Sequence, residues 1–94
     1  MRELADIRKD LDAVDREIVR LFEERMTLAA QVAEYKIAKG MPVLDRSREE
    51  KVLASRAALL EDKRLEGDVR ALFECIMALS RKEQERLVKE AEEC

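Results

Sequence analysis

Residues 4–39, LADIRKDLDAVDREIVRLFEERMTLAAQVAEYKIAK, decide the fold of this chain. Apolar side chains recur in this stretch at alternating intervals of three and four residues, which is the spacing of a heptad seam. The seam consists of Leu4, Ile7, Leu11, Val14, Ile18, Leu21, Leu28, Val32 and Tyr35. Gly40 is a favoured C-cap, and Pro42 cannot continue a helix. The pattern predicts one uninterrupted helix over about 2–39.

The length of this helix has a consequence for assembly. At 1.5 Å per residue, a helix of ~38 residues is ~57 Å long. A compact domain of this chain length has a radius of gyration of ~12 Å and is much shorter than that rod. The helix must therefore project from the domain, and its exposed apolar seam requires a partner. We predict a homodimer in which the long helices of two chains pack on each other.

Two shorter helices are predicted after the long one. The second covers about 46–62, with Asp45 or Ser47 as its N-cap, and the third covers about 68–91, with Asp68 as its N-cap. Only 3% of the residues are aromatic, and the chain has 2 glycines and 1 proline, a composition typical of helices rather than of a sheet. The predicted fold is all-α, with three helices.

Charge and composition argue against several classes of function. Residues 1–94 suffice for one stand-alone domain, and 19 basic side chains mix with 22 acidic ones without the basic block expected for nucleic-acid binding. No apolar run approaches the ~20 residues of a membrane span, and the charged start lacks a signal peptide, so we expect a cytoplasmic protein without membrane contact. The chain has no histidine, so a metal site is not expected. Cys75 is expected to be a buried thiol and Cys94 a frayed end.

Four polar residues interrupt the apolar stripes. Arg25 and Lys36 are eleven residues apart, close to three helical turns, and so share a face of the first helix. Ser80 and Gln84 lie one turn apart on the stripe of the third helix. Singly, such residues often only fix helix register or bond the backbone. Because buried charges and amides need partners, the four together predict one polar cavity inside a helical bundle.

Charged residues at the start of the second helix complete this cavity. Asp45 and Glu49 lie one turn apart, with Arg48 beside them, and place a carboxylate at its edge. Such a cavity suits a small anion that carries hydroxyl or ether oxygens. Arg8 is seventeen residues before Arg25, ~25 Å away along one helix, so it can reach such a pocket only in a partner chain. The cavity lacks an activated nucleophile, which favours catalysis by orientation and electrostatics.

Three segments resemble the all-helical chorismate mutases of the AroQ class. They are LADIRKDLDAVDREIVRLFEERMTLAAQVAEYK, PVLDRSREEKVL and LFECIMALSRKEQ. Within them stand an Ile-Arg near the start, a Glu-Arg in mid-helix and a lysine eleven residues later. Asp-x-x-Arg-Glu follows the proline, and Ser-x-x-x-Gln lies in the last helix. The resemblance covers about residues 4–87.

The resemblance implies a fold, a reaction and a partner. The fold is an intertwined helical homodimer with two equivalent active sites. The reaction is the Claisen rearrangement of chorismate to prephenate, a step in phenylalanine and tyrosine biosynthesis, and it needs no cofactor. Chorismate is a dianion with an ether oxygen and a ring hydroxyl, which is the kind of ligand that the cavity suits.

The resemblance also implies roles for individual residues. Arg25 binds one substrate carboxylate, and Arg8 of the partner subunit binds the other. Lys36 and Gln84 donate to the ether oxygen, and Glu49 accepts from the ring hydroxyl. The further contacts implied are Ser80 to a carboxylate, Arg48 as a supporting cation, the backbone near Asp45, and Val32 and Met77 as apolar walls.

Two alternatives remain open on the sequence alone. Isochorismate-pyruvate lyases share this helical dimer and a related pocket, although the complete element from Asp45 to Glu49 favours the mutase. A non-catalytic helical dimerisation module would use Arg25 and Gln84 only to fix register. Release of pyruvate from isochorismate identifies the lyase, and failure to bind chorismate identifies the module.

Overall fold

The computed structural model describes residues 1–93, and these residues form three α-helices and one 3-10 turn. The helices are α1, Leu4–Lys39, α2, Arg46–Ala58, and α3, Glu66–Glu93, and the 3-10 turn is Lys63–Leu65. No strand occurs in residues 1–93. The predicted all-α class with a long first helix is therefore confirmed. Cys94, expected to be a frayed end, lies outside the described residues.

Helix α1 is a projecting rod. The molecule extends 58 Å along its longest axis, and its radius of gyration is 17.0 Å, well above the ~12 Å expected for a compact chain of this length. The helix ends where Gly40 adopts a left-handed conformation, with φ of 64°, and its N–H donates to the carbonyl of Ile37. Only glycine reaches this conformation without a steric penalty, so Gly40 sets the end of the rod.

Helix α2 is shorter than predicted, because local bonds stop it at Ala58 rather than near residue 62. The Lys63 ammonium donates to the carbonyls of Ala57 and Ala58, at 3.4 and 3.2 Å, and so satisfies two acceptors at the helix end. The Asp62 carboxylate accepts from the N–H of Arg64 and begins the 3-10 turn. At the other end, Asp45 is the N-cap, since its carboxylate accepts from the N–H of Arg48 at 3.0 Å.

Helix α3 begins at Glu66, so the prediction of Asp68 as its N-cap was wrong. The 3-10 turn leads straight into α3, and Asp68 therefore lies within the first helical turn. A carboxylate in this turn interacts favourably with the positive end of the helix dipole. The prediction of a buried Cys75 was also wrong, because its side chain is exposed. Cys75 lies about 200° around α3 from the buried Met77 and so faces away from the other helices.

The core is small and lies at one end of the rod. Helix α3 packs against the C-terminal half of α1 and against α2. The buried apolar side chains of residues 1–93 are Ala29, Ala33, Val52, Ala57 and Met77. Because three of these five are alanines, the helices approach closely but bury little apolar surface.

The N-terminal half of α1 carries an apolar seam that the chain itself leaves uncovered. Leu4, Leu11, Val14 and Ile18 are each 54% to 58% exposed. A continuous exposed apolar surface of this kind marks an interaction site rather than a free surface. Within residues 1–93, no helix combines the length and the apolar character needed to cross a membrane.

Candidate active site

A cavity of about 290 Å³ lies where α1, α2 and α3 meet. This volume is at the lower end of the range of small-molecule sites in proteins. The cavity brings together nine of the ten residues that the sequence predicts for the site. These nine are Arg25, Val32, Lys36, Asp45, Arg48, Glu49, Met77, Ser80 and Gln84.

Arg25 projects from α1 into a strongly cationic region. Burial lowers the pKa of Arg25 from its usual value, and repulsion from Arg56 and Arg48 lowers it further. Arginine nevertheless stays protonated in proteins. The side chain is therefore a half-buried cation that lacks a carboxylate partner among the described residues. An anion bound beside it would offset both effects.

Lys36 lies about 16 Å along α1 from Arg25, on the same wall of the cavity. Its ammonium donates to the carbonyl of Val43 at 2.6 Å and so ties the linker after α1 back to the helix. An ammonium has three donors, so this bond leaves two N–H groups for a ligand. Lys36 thus both holds the linker against α1 and offers the cavity a positive charge.

Ser80 and Gln84 form a buried polar pair on α3. Each is only 7% exposed, and the Gln84 Nε2 donates to the Ser80 Oγ at 3.0 Å. The Gln84 Oε1 is buried without a hydrogen-bond partner in residues 1–93. A half-turn of the amide lets the Ser80 hydroxyl donate to Oε1 and presents the NH₂ group to the cavity. In either orientation one buried polar group of Gln84 is free for a ligand, and leaving it unpaired is costly.

Glu49 and Arg81 form an ion pair across the cavity wall. The Arg81 Nη1 lies 2.5 and 2.6 Å from the two carboxylate oxygens of Glu49. The Arg81 side chain is 31% exposed and the Glu49 side chain is 25% exposed. Arg81 was not predicted from the sequence, because it stands in the charged run RKEQER and resembles a solvated residue. Its position four residues after Met77, on the inward stripe of α3, is the signal that identifies it.

Arg8 is the predicted site residue that this cavity does not include. It is exposed on the N-terminal half of α1, ~25 Å from Arg25 by helical rise. Apolar residues complete the wall, and four of them are not among the ten predicted site residues. These are Leu28, Ala29, Val43 and Val52.

The charges of the cavity favour an anionic ligand. Four cationic and two acidic side chains line it, together with one hydroxyl and one amide. The arginine side chains can each bind a carboxylate through two hydrogen bonds, while the lysine and the amide can donate to an uncharged oxygen. Among residues 1–93, no group of three or more histidine, cysteine, aspartate or glutamate side chains is placed to hold a metal ion.

Comparison with known proteins extends these observations. The family model "Chorismate mutase type II" matches residues 7–85, which include every residue that lines the cavity. The chain is 35% identical over 68 residues to the "T-protein" of Haemophilus influenzae, covering 72% of this chain and 16% of that protein. It is 45% identical over 49 residues to the "Chorismate mutase" of Methanocaldococcus jannaschii, covering 52% of this chain and 50% of that protein.

A third relative is the "Bifunctional chorismate mutase/prephenate dehydratase" of Aquifex aeolicus, 38% identical over 52 residues, which are 55% of this chain and 14% of that protein. The matched part of the chain thus spans half or less of each of these relatives. No solved structure matches at the same level of significance. Because the family model matches most of the length of this chain, the chain belongs to the type II chorismate mutase family.

Proposed function

We propose that this chain is an isomerase that converts chorismate to prephenate, a step in phenylalanine and tyrosine biosynthesis. The observation that carries the proposal is the meeting of Arg25, Lys36, Glu49 and Gln84 in one cavity within the segment that matches the family. We further propose that residues 1–94 act as one chorismate mutase domain in the cytoplasm.

The substrate would be held by its two carboxylates. The Arg25 guanidinium, half-buried and unpaired among the described residues, would bind one of them through two parallel hydrogen bonds. The Ser80 hydroxyl would donate to a carboxylate, and Arg48 would add a supporting positive charge. Val32 and Met77 would hold the chorismate side chain over the ring in the compact, chair-like conformer that the rearrangement requires.

Rate enhancement would come from donors aimed at the ether oxygen. Negative charge grows on this oxygen as its bond to the ring carbon breaks. The free N–H groups of Lys36 would stabilise that charge, and so would the NH₂ group of Gln84 in the amide orientation in which the Ser80 hydroxyl donates to Oε1. No covalent intermediate and no cofactor is needed, because the bonds break and form within one molecule. Glu49 would accept from the ring hydroxyl, supported by the backbone near Asp45.

The proposed active form is an intertwined homodimer in which each site takes Arg8 from the partner subunit. Two observations on the single chain support this assembly. The apolar seam on the N-terminal half of α1 is uncovered, and α1 extends far beyond the core that α2 and α3 form. Pairing the long helices of two chains would bury both seams and bring Arg8 of the partner subunit to the cavity.

A direct assay tests the function. Purified protein is given chorismate, and its loss and the appearance of prephenate are measured together. The proposal expects saturable conversion to prephenate. Pyruvate released from isochorismate, without prephenate formed from chorismate, would identify a lyase of the same fold instead. Absence of chorismate binding in a folded sample would leave only a dimerisation module.

A further inference from the structure

The Glu49–Arg81 ion pair differs from the other ion pairs of the chain. It joins α2 to α3, whereas every other ion pair in residues 1–93 connects residues no more than eight positions apart. Both side chains line the cavity and are largely withdrawn from water. Water and salt therefore screen this pair less than the exposed ones.

The geometry of the pair leaves the carboxylate available to a ligand. A single nitrogen, Nη1 of Arg81, contacts both oxygens of Glu49, and no other donor within residues 1–93 bonds this carboxylate. Each carboxylate oxygen has two lone pairs, so acceptor capacity remains on both. Arg81 thus fixes the direction of the carboxylate without using up its acceptor sites.

The surroundings explain why Glu49 needs such a partner. Three other cations, Arg25, Lys36 and Arg48, line the same cavity. Without Arg81, the Glu49 carboxylate would be attracted to them and would neutralise charge that an anionic ligand requires. With Arg81 in place, Glu49 has a cation of its own.

We propose that Arg81 is a positioning residue, which holds Glu49 as the acceptor for the ring hydroxyl of the substrate and thereby sets the preference for a hydroxyl-bearing substrate. This inference rests on the proposed function. A site that accepts a hydrogen bond from a substrate hydroxyl disfavours an analogue that lacks it, because the carboxylate lone pair directed at the hydroxyl then has no donor. Arg81 therefore acts on specificity through Glu49 rather than by contact with the reacting atoms.

The test compares two substrates, chorismate and an analogue that lacks only the ring hydroxyl. The ratio of their kcat/KM values is measured for the wild type, Arg81→Met and Arg81→Lys. We expect Arg81→Met to lower kcat/KM for chorismate roughly ten- to a hundredfold, and for the analogue less than about threefold. Arg81→Lys, which keeps the positive charge, should restore most of the preference.

Two further variants separate positioning from a purely structural role. In a Glu49→Gln background, Arg81→Met should cost less than about threefold with chorismate, because the residue through which it acts is gone. Arg86→Met is the matched control. It removes an arginine from α3 that pairs with Glu83 and Glu90 outside the cavity, and it should leave the ratio unchanged.

Specific outcomes would overturn the inference. Equal losses on both substrates, or losses that add fully to those of Glu49→Gln, would mean that Arg81 contacts another part of the substrate or only supports the fold. If Arg81→Met does not fold, Arg81→Gln replaces it, because this variant also removes the positive charge; the preference for chorismate should fall in it, and an unchanged ratio would overturn the inference. If the wild type does not turn over chorismate, the proposed function itself is wrong. If the wild type is active but the variants do not behave as expected, only the role of Arg81 is wrong.

Discussion

Gln84 and Lys36, the two proposed donors to the ether oxygen, lie in different surroundings. Gln84 is held by Ser80 and is almost fully buried, while Lys36 is partly exposed and is held by the carbonyl of Val43. A donor that is already oriented before the substrate arrives costs no reorganisation in the transition state. Both residues should therefore act on turnover more than on substrate binding.

Removal of either donor should lower turnover sharply. We expect Lys36→Ala or Gln84→Ala to reduce kcat by ~10²–10³, the usual effect of deleting one donor to a developing oxyanion. Steady-state kinetics on variants with wild-type circular dichroism provide the measurement. Lys39→Ala is the control, because Lys39 lies on the same helix end but outside the cavity. Near-normal turnover in folded Lys36→Ala would refute the assignment of that residue.

Exchange of the amide for a carboxyl should make activity depend on acidity. In Gln84→Glu, the ionised form would repel charge on the ether oxygen, and the protonated form would donate to it. Turnover should therefore rise as the pH falls through the pKa of the introduced carboxyl. The cations that line the cavity favour ionisation of this carboxyl, whereas burial and the carboxylates of Asp45 and Glu49 oppose it. A pH profile of kcat parallel to that of the wild type would show that position 84 does not face the ether oxygen.

At the scale of elements, the beginning of α2 serves stability and the cavity at once. Asp45 caps the helix through the N–H of Arg48, and the next turn carries Glu49 into the cavity wall. The orientation of α2, and with it that of Glu49, therefore depends on this cap.

Two substitutions of Asp45 should separate the effect of losing the N-cap hydrogen bond on stability from the effect of losing the negative charge. Asp45→Ala is expected to reduce the free energy of unfolding by about 1 kcal/mol, the typical value for an N-cap. Asp45→Asn removes the same charge but keeps a good capping side chain, so its stability should stay within a few tenths of a kcal/mol of the wild type. Urea unfolding of the two variants makes the comparison. Equal destabilisation by both would contradict a capping role.

The helix bounds and the cavity residues show which features can be predicted from the sequence and which cannot. The 3–4 spacing of apolar residues and Gly40 were enough to predict α1 almost to the residue, because both signals are local. The predicted end of α2 was wrong, because the observed end depends on hydrogen bonds that form only after the chain turns. Lys63 donates to the last carbonyls of the helix, and Asp62 accepts from the N–H of Arg64. Four of the fourteen cavity residues were predicted because polar side chains interrupt apolar stripes, and three more from the charged start of α2. Val32 and Met77 were predicted only from the family resemblance. Arg81 was not predicted, because it stands in a charged run and its partner Glu49 is 32 positions away.

At the scale of the whole molecule, the proposed dimer can be tested by complementation. If each site takes Arg25 from one chain and Arg8 from the other, Arg8→Ala and Arg25→Ala homodimers should both be nearly inactive. Refolding the two variants together in equal amounts gives half heterodimers, each with one intact site of two. Activity should then recover to about a quarter of the wild-type value. No recovery in a mixture that forms heterodimers would place both arginines in the same chain's site or outside it.

The alanine-rich core has a thermodynamic consequence for the molecule. Five buried apolar side chains, three of them alanines, are too few in the described 93 residues to offset the conformational entropy of ordering the chain. Most of the stabilising surface would then come from the second chain, and folding would be a bimolecular equilibrium. The melting temperature should fall by about 3–5 °C for each tenfold dilution, as differential scanning fluorimetry can measure. In such a dimer, protein concentration would determine whether the cavity exists at all.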